Sequence, residues 1–192
     1  MSADPERSNA RLARDQRGAR IGSDLAPRVA AGLVMGLAAL VVAWFGGIVF
    51  VAFWWIASIV VLWEWQRIVA RERLFFRVAA GALPLALAGL LALHNLSIWA
   101  VVALAAAVAA VGFATNPGTR VWAGAGALYA GSLVVGLALL RATPTYGLAA
   151  VLWLFAIVWG ADVAAYFAGR AIGGPRLWPS VSPGKTWSGA VA

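Results

Sequence analysis

Six apolar runs, separated by charged or turn-forming segments, constrain this chain more than any other feature. They lie at about Val29–Phe45, Ile48–Trp63, Val78–Leu93, Ile98–Phe113, Val121–Leu140 and Gly147–Ala168. Runs of this size approach or exceed the ~18–20 apolar residues needed to cross ~30 Å of hydrocarbon. Hydrophobic residues make up 63% of the 192 residues, more than a soluble domain of this length needs. A transmembrane β-barrel would alternate in ~10-residue segments, and no such alternation is visible. The predicted fold class is therefore all-α, a polytopic transmembrane helical bundle of about six spans. Gly46-Gly47 and His94-Asn95 predict turns between spans, and Thr115-Asn116-Pro117-Gly118 breaks the fourth from the fifth. Pro84 is a tolerated kink within the third, and Trp63-Glu64-Trp65 fits an interfacial belt.

Charge then orients the bundle. The formal net charge of +8 would suggest nucleic acid in a soluble protein. In a membrane chain the arginines set topology, so no nucleic-acid partner is expected. Residues 1–27 form an Arg-rich tail with Arg7, Arg11, Arg14, Arg17 and Arg20. The tail lacks the pattern of a cleaved signal peptide, and anionic lipid headgroups would attract it. With the amino terminus inside, all of the 15 basic residues except Arg141 fall on the inner side. The positive-inside rule then puts both ends in the cytoplasm. The chain has no cysteine, which excludes disulfides, thiol catalysis and thiolate metal sites. Its single histidine, His94, excludes a His-rich metal site.

Chemistry concentrates in the segment from Ile157 to Ala190. Asp162 is the only acidic residue after Glu72, and Lys185 is the only lysine. Asp162 sits about fifteen residues into the sixth span, roughly 22 Å along it. An ionised Asp at a helix centre costs about 2.5–3.5 kcal/mol on insertion, so it must face a bundle interior or a wet cavity. Asp162, Tyr166, Gly169 and Gly173 follow at i, i+4, i+7 and i+11 and share a face, with Arg170 one position further round. Pairing with Arg or Tyr as internal glue is the plain alternative to a functional carboxylate. Further on, Ser182-Pro183-Gly184-Lys185-Thr186-Trp187 predicts a helix start, with Ser182 as N-cap and Pro183 at N1. Gly184 would let a ligand approach the backbone, and Lys185 would add a point charge for a phosphate. A lysine that merely sets topology is the competing reading. The segment is not a P-loop, because position 179 is Pro179 rather than glycine.

The run G-A-D-x-x-A-Y-F-x-G-R at Gly160–Arg170 continues through Ile172-Gly173-Gly174 and Leu177 to Ser182–Trp187. With Trp63-Glu64-Trp65 and Leu140-Arg141, it resembles the bacterial phosphatidate cytidylyltransferases (CDP-diacylglycerol synthases). The likeness extends from about Arg28 to the end, and its specific part is the last thirty-odd residues. Ser188 departs from it, since the family more often has Glu or Gln there. The resemblance implies a transmembrane domain over 28–192 that is incomplete at its carboxy-terminal end. A downstream segment with metal-associated aspartates would be missing, and the chain alone is expected to show little or no activity. It also implies transfer of a cytidylyl group from CTP to phosphatidate in the cell inner membrane, with the site facing the cytoplasm. Asp162 and Lys185 would be catalytic, and Tyr166, Arg170, Ser182, Gly184 and Thr186 would bind substrate. Asp162 would contribute to a Mg²⁺ site. The lipid bilayer is the expected surroundings, and a homodimer stays open. Two rival readings are a transporter that uses Asp162 as its coupling residue and a CTP-dependent lipid kinase. No inverted repeat is evident, and Asp162 is off-centre for a transporter site.

Overall fold

The computed structural model describes residues 27, 29–69 and 72–192. The Arg-rich tail up to residue 26, with Arg28 and Arg71, lies outside the described residues. In chain order the elements are α1 (Val29–Phe45), α2 (Gly47–Val69), α3 (Leu74–Leu93), α4 (Ser97–Phe113), α5 (Arg120–Ala142), α6 (Gly147–Ala171), β1 (Arg176–Trp178), β2 (Ser182–Thr186) and α7 (Trp187–Val191). A 3-10 turn at Pro117–Thr119 leads into α5. The chain divides into two compact units, residues up to Val42 and Ala43–Ala192.

The apolar runs are helices, and the chain is a helical membrane protein. Among the described residues four helices are long and apolar enough to cross a membrane: α2, α3, α5 with its leading turn, and α6. The other two apolar helices, α1 and α4, are shorter. Six helices therefore occupy the six predicted runs, while length and composition support four crossings.

In the second unit, α5 packs against α2, α3, α4 and α6. Lipid tails are as apolar as leucine, so helices in a bilayer are held by close packing and hydrogen bonds rather than by escape from water. The buried face of α5 is built for close packing, with Ala123, Gly126, Ala127, Ala130, Gly131, Val134 and Ala138. A Cβ on Gly126 would lie 2.1 Å from the Trp65 ring, and one on Gly131 would lie 2.2 Å from Leu104. The indole and the leucine occupy the space that a side chain there would need.

Polar side chains fasten the same helices. Trp65 Nε1–H donates to Trp122 O at 2.8 Å, Gln66 Nε2–H to Ala123 O at 2.9 Å and Trp55 Nε1–H to Ala82 O at 2.9 Å. Such interhelical bonds are worth about 0.6 kcal/mol each in a membrane. Arg77, expected in the charged stretch before the third span, instead lies inside α3. Its side chain is 1% exposed and donates to Gln66 O at 3.1 Å. The helix starts one turn earlier than hydropathy predicts because that carbonyl receives the guanidinium. At its other boundary α2 outlasts its apolar run by six residues, where Glu64 and Arg67 pair at 3.2 Å.

The opposite ends of the helices are capped by distant side chains. Arg141 Nε–H donates to Ala43 O at 2.8 Å, and Nη2–H donates to Trp44 O at 3.3 Å. Asn95 Nδ2–H donates to Ala142 O at 3.2 Å. Carbonyls at helix ends lack intrahelical donors, and these contacts supply them. Gly46 has φ +64°, and a Cβ there would sit 2.6 Å from Arg141 Nη2. Only glycine meets both conditions at this turn.

Helix α6 leaves this packing. Its buried residues are Gly147, Val151 and Phe155, all in the first half. Beyond Phe155 no described residue is buried. The second half of α6 packs mainly on α7.

Candidate functional site

The second half of α6, the β-hairpin and α7 form one small assembly. α6 ends at Ala171, and Gly173 and Gly174 follow with φ +65° and +107°. Left-handed backbone of this kind stops the helix and reverses the chain. Gly173 therefore lies past the helix end and does not continue the Asp162–Tyr166–Gly169 face. β1 and β2 then pair antiparallel, with Arg176 opposite Thr186 and Trp178 opposite Ser182. Leu177 alone separates the partners on β1, whereas Pro183, Gly184 and Lys185 separate them on β2. The register shift makes β2 bulge at these three residues. A bulge tolerates proline and re-aims side chains, and it is common beside active sites.

The predicted helix start at Ser182 is thereby corrected. Ser182 opens a strand, and the helix starts at Trp187 with Thr186 as its N-cap. Thr186 Oγ1 accepts from Gly189 N at 3.3 Å. The Ser-Pro pair matches the template of an N-cap and N1, but Pro183 lacks an N–H and suits a bulge equally well. Pairing with β1 decides between the two. The expected anion site at a helix amino terminus near Pro183 is lost with that helix.

Two hydrogen bonds tie α7 to the turn that follows α6, and a third contact braces its first residues. Trp187 N–H donates to Pro175 O at 3.1 Å. Ser188 Oγ–H donates to Gly173 O at 2.5 Å, and its oxygen lies 3.0 Å from Thr186 Oγ1. At the crossing two glycines meet. A Cβ on Gly189 would lie 2.6 Å from Ala165 O and 3.3 Å from Gly169 Cα, and one on Gly169 would lie 2.9 Å from Thr186 Oγ1.

This fold-back encloses a cavity of about 710 Å³, lined by Asp162, Tyr166, Arg170, Gly184, Lys185 and Thr186, with Ala165, Gly169, Leu177 and Gly189 among its apolar walls. Six of the seven residues singled out from the sequence thus face one space. Ser182 is not in that lining. Tyr166 Oη accepts from Arg170 Nη1–H at 3.4 Å. Among the described residues no ion pair or hydrogen bond engages the Asp162 carboxylate, so the internal-glue alternative has no contact to support it. The cavity holds one carboxylate against two cations, an excess of positive charge suited to an anion. No group of three or more His, Cys, Asp or Glu residues is found among the described residues. The contributions of Ser188, Gly169 and Gly189 were not legible beforehand. They depend on a crossing between segments twenty residues apart, and small residues alone do not announce one.

Comparison with known proteins bears on this arrangement. The profile described as the cytidylyltransferase family matches residues 26–192. A phosphatidate cytidylyltransferase of Brucella suis is 35% identical over 170 residues, which is 88% of this chain and 63% of that protein. One from Pseudomonas aeruginosa is 36% identical over 140 residues, 66% of this chain and 50% of that protein. One from Haemophilus influenzae is 52% identical over 48 residues, 25% of this chain and 17% of that protein. No solved structure matches. The chain spans 63% of the length of the Brucella relative. A profile match over nearly all of the apolar domain, together with relatives that share its sequence at this level, means that the chain belongs to the cytidylyltransferase family.

Proposed function

We propose that the chain carries the substrate-binding half of a phosphatidate cytidylyltransferase site, which joins CTP to phosphatidate. The observation behind this reading is the single cavity that gathers Asp162, Arg170 and Lys185 at the end of an apolar helix. Both substrates bring phosphates, and one brings acyl chains. The outer surface of α6 exposes Val163 and Phe167 beside the cavity, so a lipid phosphate can reach it from within the bilayer. In the reaction a phosphatidate oxygen attacks the α-phosphorus of CTP. A new P–O bond forms, the bond to the bridging oxygen breaks, and pyrophosphate leaves. Lys185 and Arg170 hold phosphate oxygens and offset the charge that accumulates as the two anions meet.

Mg²⁺ is part of this reading. The ion favours one or two carboxylates with phosphate oxygens over an all-protein cage, and Asp162 fits the role of that one carboxylate. When bound, Mg²⁺ would supply neutralisation of phosphate charge. The setting we infer is the inner membrane with the cavity facing the cytoplasm. All six apolar helices cross: α4, with 17 residues, reaches about 25 Å at 1.5 Å per residue, the short end of the spanning range.

The test is CTP-dependent conversion of phosphatidate in membranes that contain a chimera. In it this chain replaces the matching part of the Brucella suis relative. Formation of CDP-diacylglycerol supports the reading. A correctly inserted chimera with no turnover, beside an active parent, contradicts it.

A further inference from the structure

We propose that the groove between α4 and α5 is a binding site for an anionic phospholipid of the bilayer, separate from the Asp162–Lys185 cavity. The groove has a volume of about 410 Å³ and is lined by Val108, Ala109, Phe113, Val121, Ala125 and Leu128 over a floor that includes Gly112 and Gly124. Arg120 is its one charged lining residue. It stands at the first position of α5, hence at headgroup depth when α5 crosses the bilayer.

The arginine bridges the mouth of the groove. A Cβ on Gly112 would meet Arg120 Cγ at 3.4 Å, so the stem passes over Gly112 on α4. Its guanidinium lies over the Phe113 ring, 5.1 Å from the centroid. The ring attracts the cation through its charge, and no hydrogen bond of the N–H donors is spent on it. Among the described residues none of those donors is engaged by a carboxylate. A phosphate diester matches that fork in charge and planar geometry. From Arg120 to Leu128 the groove follows α5 for roughly 12 Å, room for a stretch of acyl chain beneath the phosphate. A basic pocket between helices at headgroup level is how membrane proteins select acidic lipids. Any lipid tail fills an apolar groove, so the preference for an anionic headgroup comes from Arg120.

The experiment measures lipids retained by the purified chain in native mass spectra, with phosphatidylglycerol and phosphatidylcholine of matched acyl chains. Arg120→Gln keeps the stem and removes the charge. It should lower phosphatidylglycerol retention about five-fold, the equivalent of ~1 kcal/mol for one basic residue at an anionic surface. Phosphatidylcholine retention should not change. Ala109→Trp fills the groove from an exposed position and should lower retention of both lipids. The loss caused by Arg120→Gln should be the same in a Lys185→Ala background, which separates this groove from the cavity. Unchanged phosphatidylglycerol retention in Arg120→Gln overturns the proposal. Conversion of a dimer to a monomer by Ala109→Trp, with lipid retention intact, also overturns it by making the groove a contact between copies.

Discussion

Gly189 offers the sharpest mutational prediction, because its nearest neighbours are backbone atoms that cannot rotate away. Adding one methyl group in Gly189→Ala places a carbon 2.6 Å from Ala165 O and 3.3 Å from Gly169 Cα. Ordinary contact begins at 3.4 Å, so α7 must retreat from α6 by roughly 0.8 Å, a change of the size that overpacking imposes. Thr186 caps α7 and adjoins Lys185, so the retreat carries the β2 bulge with it. A misplacement of about 1 Å costs on the order of 100-fold in rate, and 10- to 100-fold in kcat/KM is expected in the chimera. The bundle should not notice, since both atoms approached lie in the unburied half of α6. Thermal unfolding of the detergent-solubilised chain should stay within about 0.5 kcal/mol of the parent. Gly184→Ala is the control: nothing lies within 4 Å of its Cβ and its φ is not positive. A loss of rate there reports a substrate against that backbone. Near-normal kinetics in Gly189→Ala would refute the claim that the glycine crossing seats the site.

Other predictions address the scaffold. Arg141→Gln removes the guanidinium contacts to Ala43 O and Trp44 O. It should cost about 1.5–3 kcal/mol, the usual worth of a bond to a charged group, read from denaturant unfolding in detergent. If stability is unchanged, the contact is incidental. Reporters fused at Asn95 and Thr145 should both report the outside of the membrane. A cytoplasmic signal at either contradicts the six-crossing layout.

The sequence reveals what depends on hydropathy and hides what depends on contact across long separations. α1 spans Val29–Phe45, as its apolar run predicts, and α6 begins at Gly147. These boundaries follow from composition and turn residues alone. By contrast, α2 continues past Trp63 because the Gln66 amide finds Ala123 O, a partner on another helix. The hairpin at 176–186 was hidden for a similar reason. Ser182-Pro183 satisfies helix-start chemistry locally, and only pairing with Arg176–Trp178 makes it a strand. Charge counting singles out Arg141 as the one basic residue that the predicted layout puts outside, but it gives no sign of the cap that this side chain supplies to carbonyls nearly a hundred residues earlier. At the site, the residue types point to phosphate chemistry, and six of the seven residues line one cavity. The small residues that close it gain meaning only when α7 folds back.

The central claim is that Lys185 holds a phosphate in the cavity. Its most direct test is the initial rate of CDP-diacylglycerol formation by the chimera and by its Lys185→Ala and Lys185→Arg variants. Rates are measured against CTP and phosphatidate separately at equal membrane levels. A charge-assisted contact is worth about 1.5–3 kcal/mol, so Lys185→Ala should lower kcat/KM by about 10- to 150-fold if the contact persists in the transition state. Lys185→Arg should recover only part of the loss, because a planar fork does not replace a compact ammonium. A lysine that merely sets topology would leave both variants near the parent, since Arg170 and Arg176 already supply positive charge on that side. Near-parental kinetics for Lys185→Ala would remove Lys185 from the site and contradict the account.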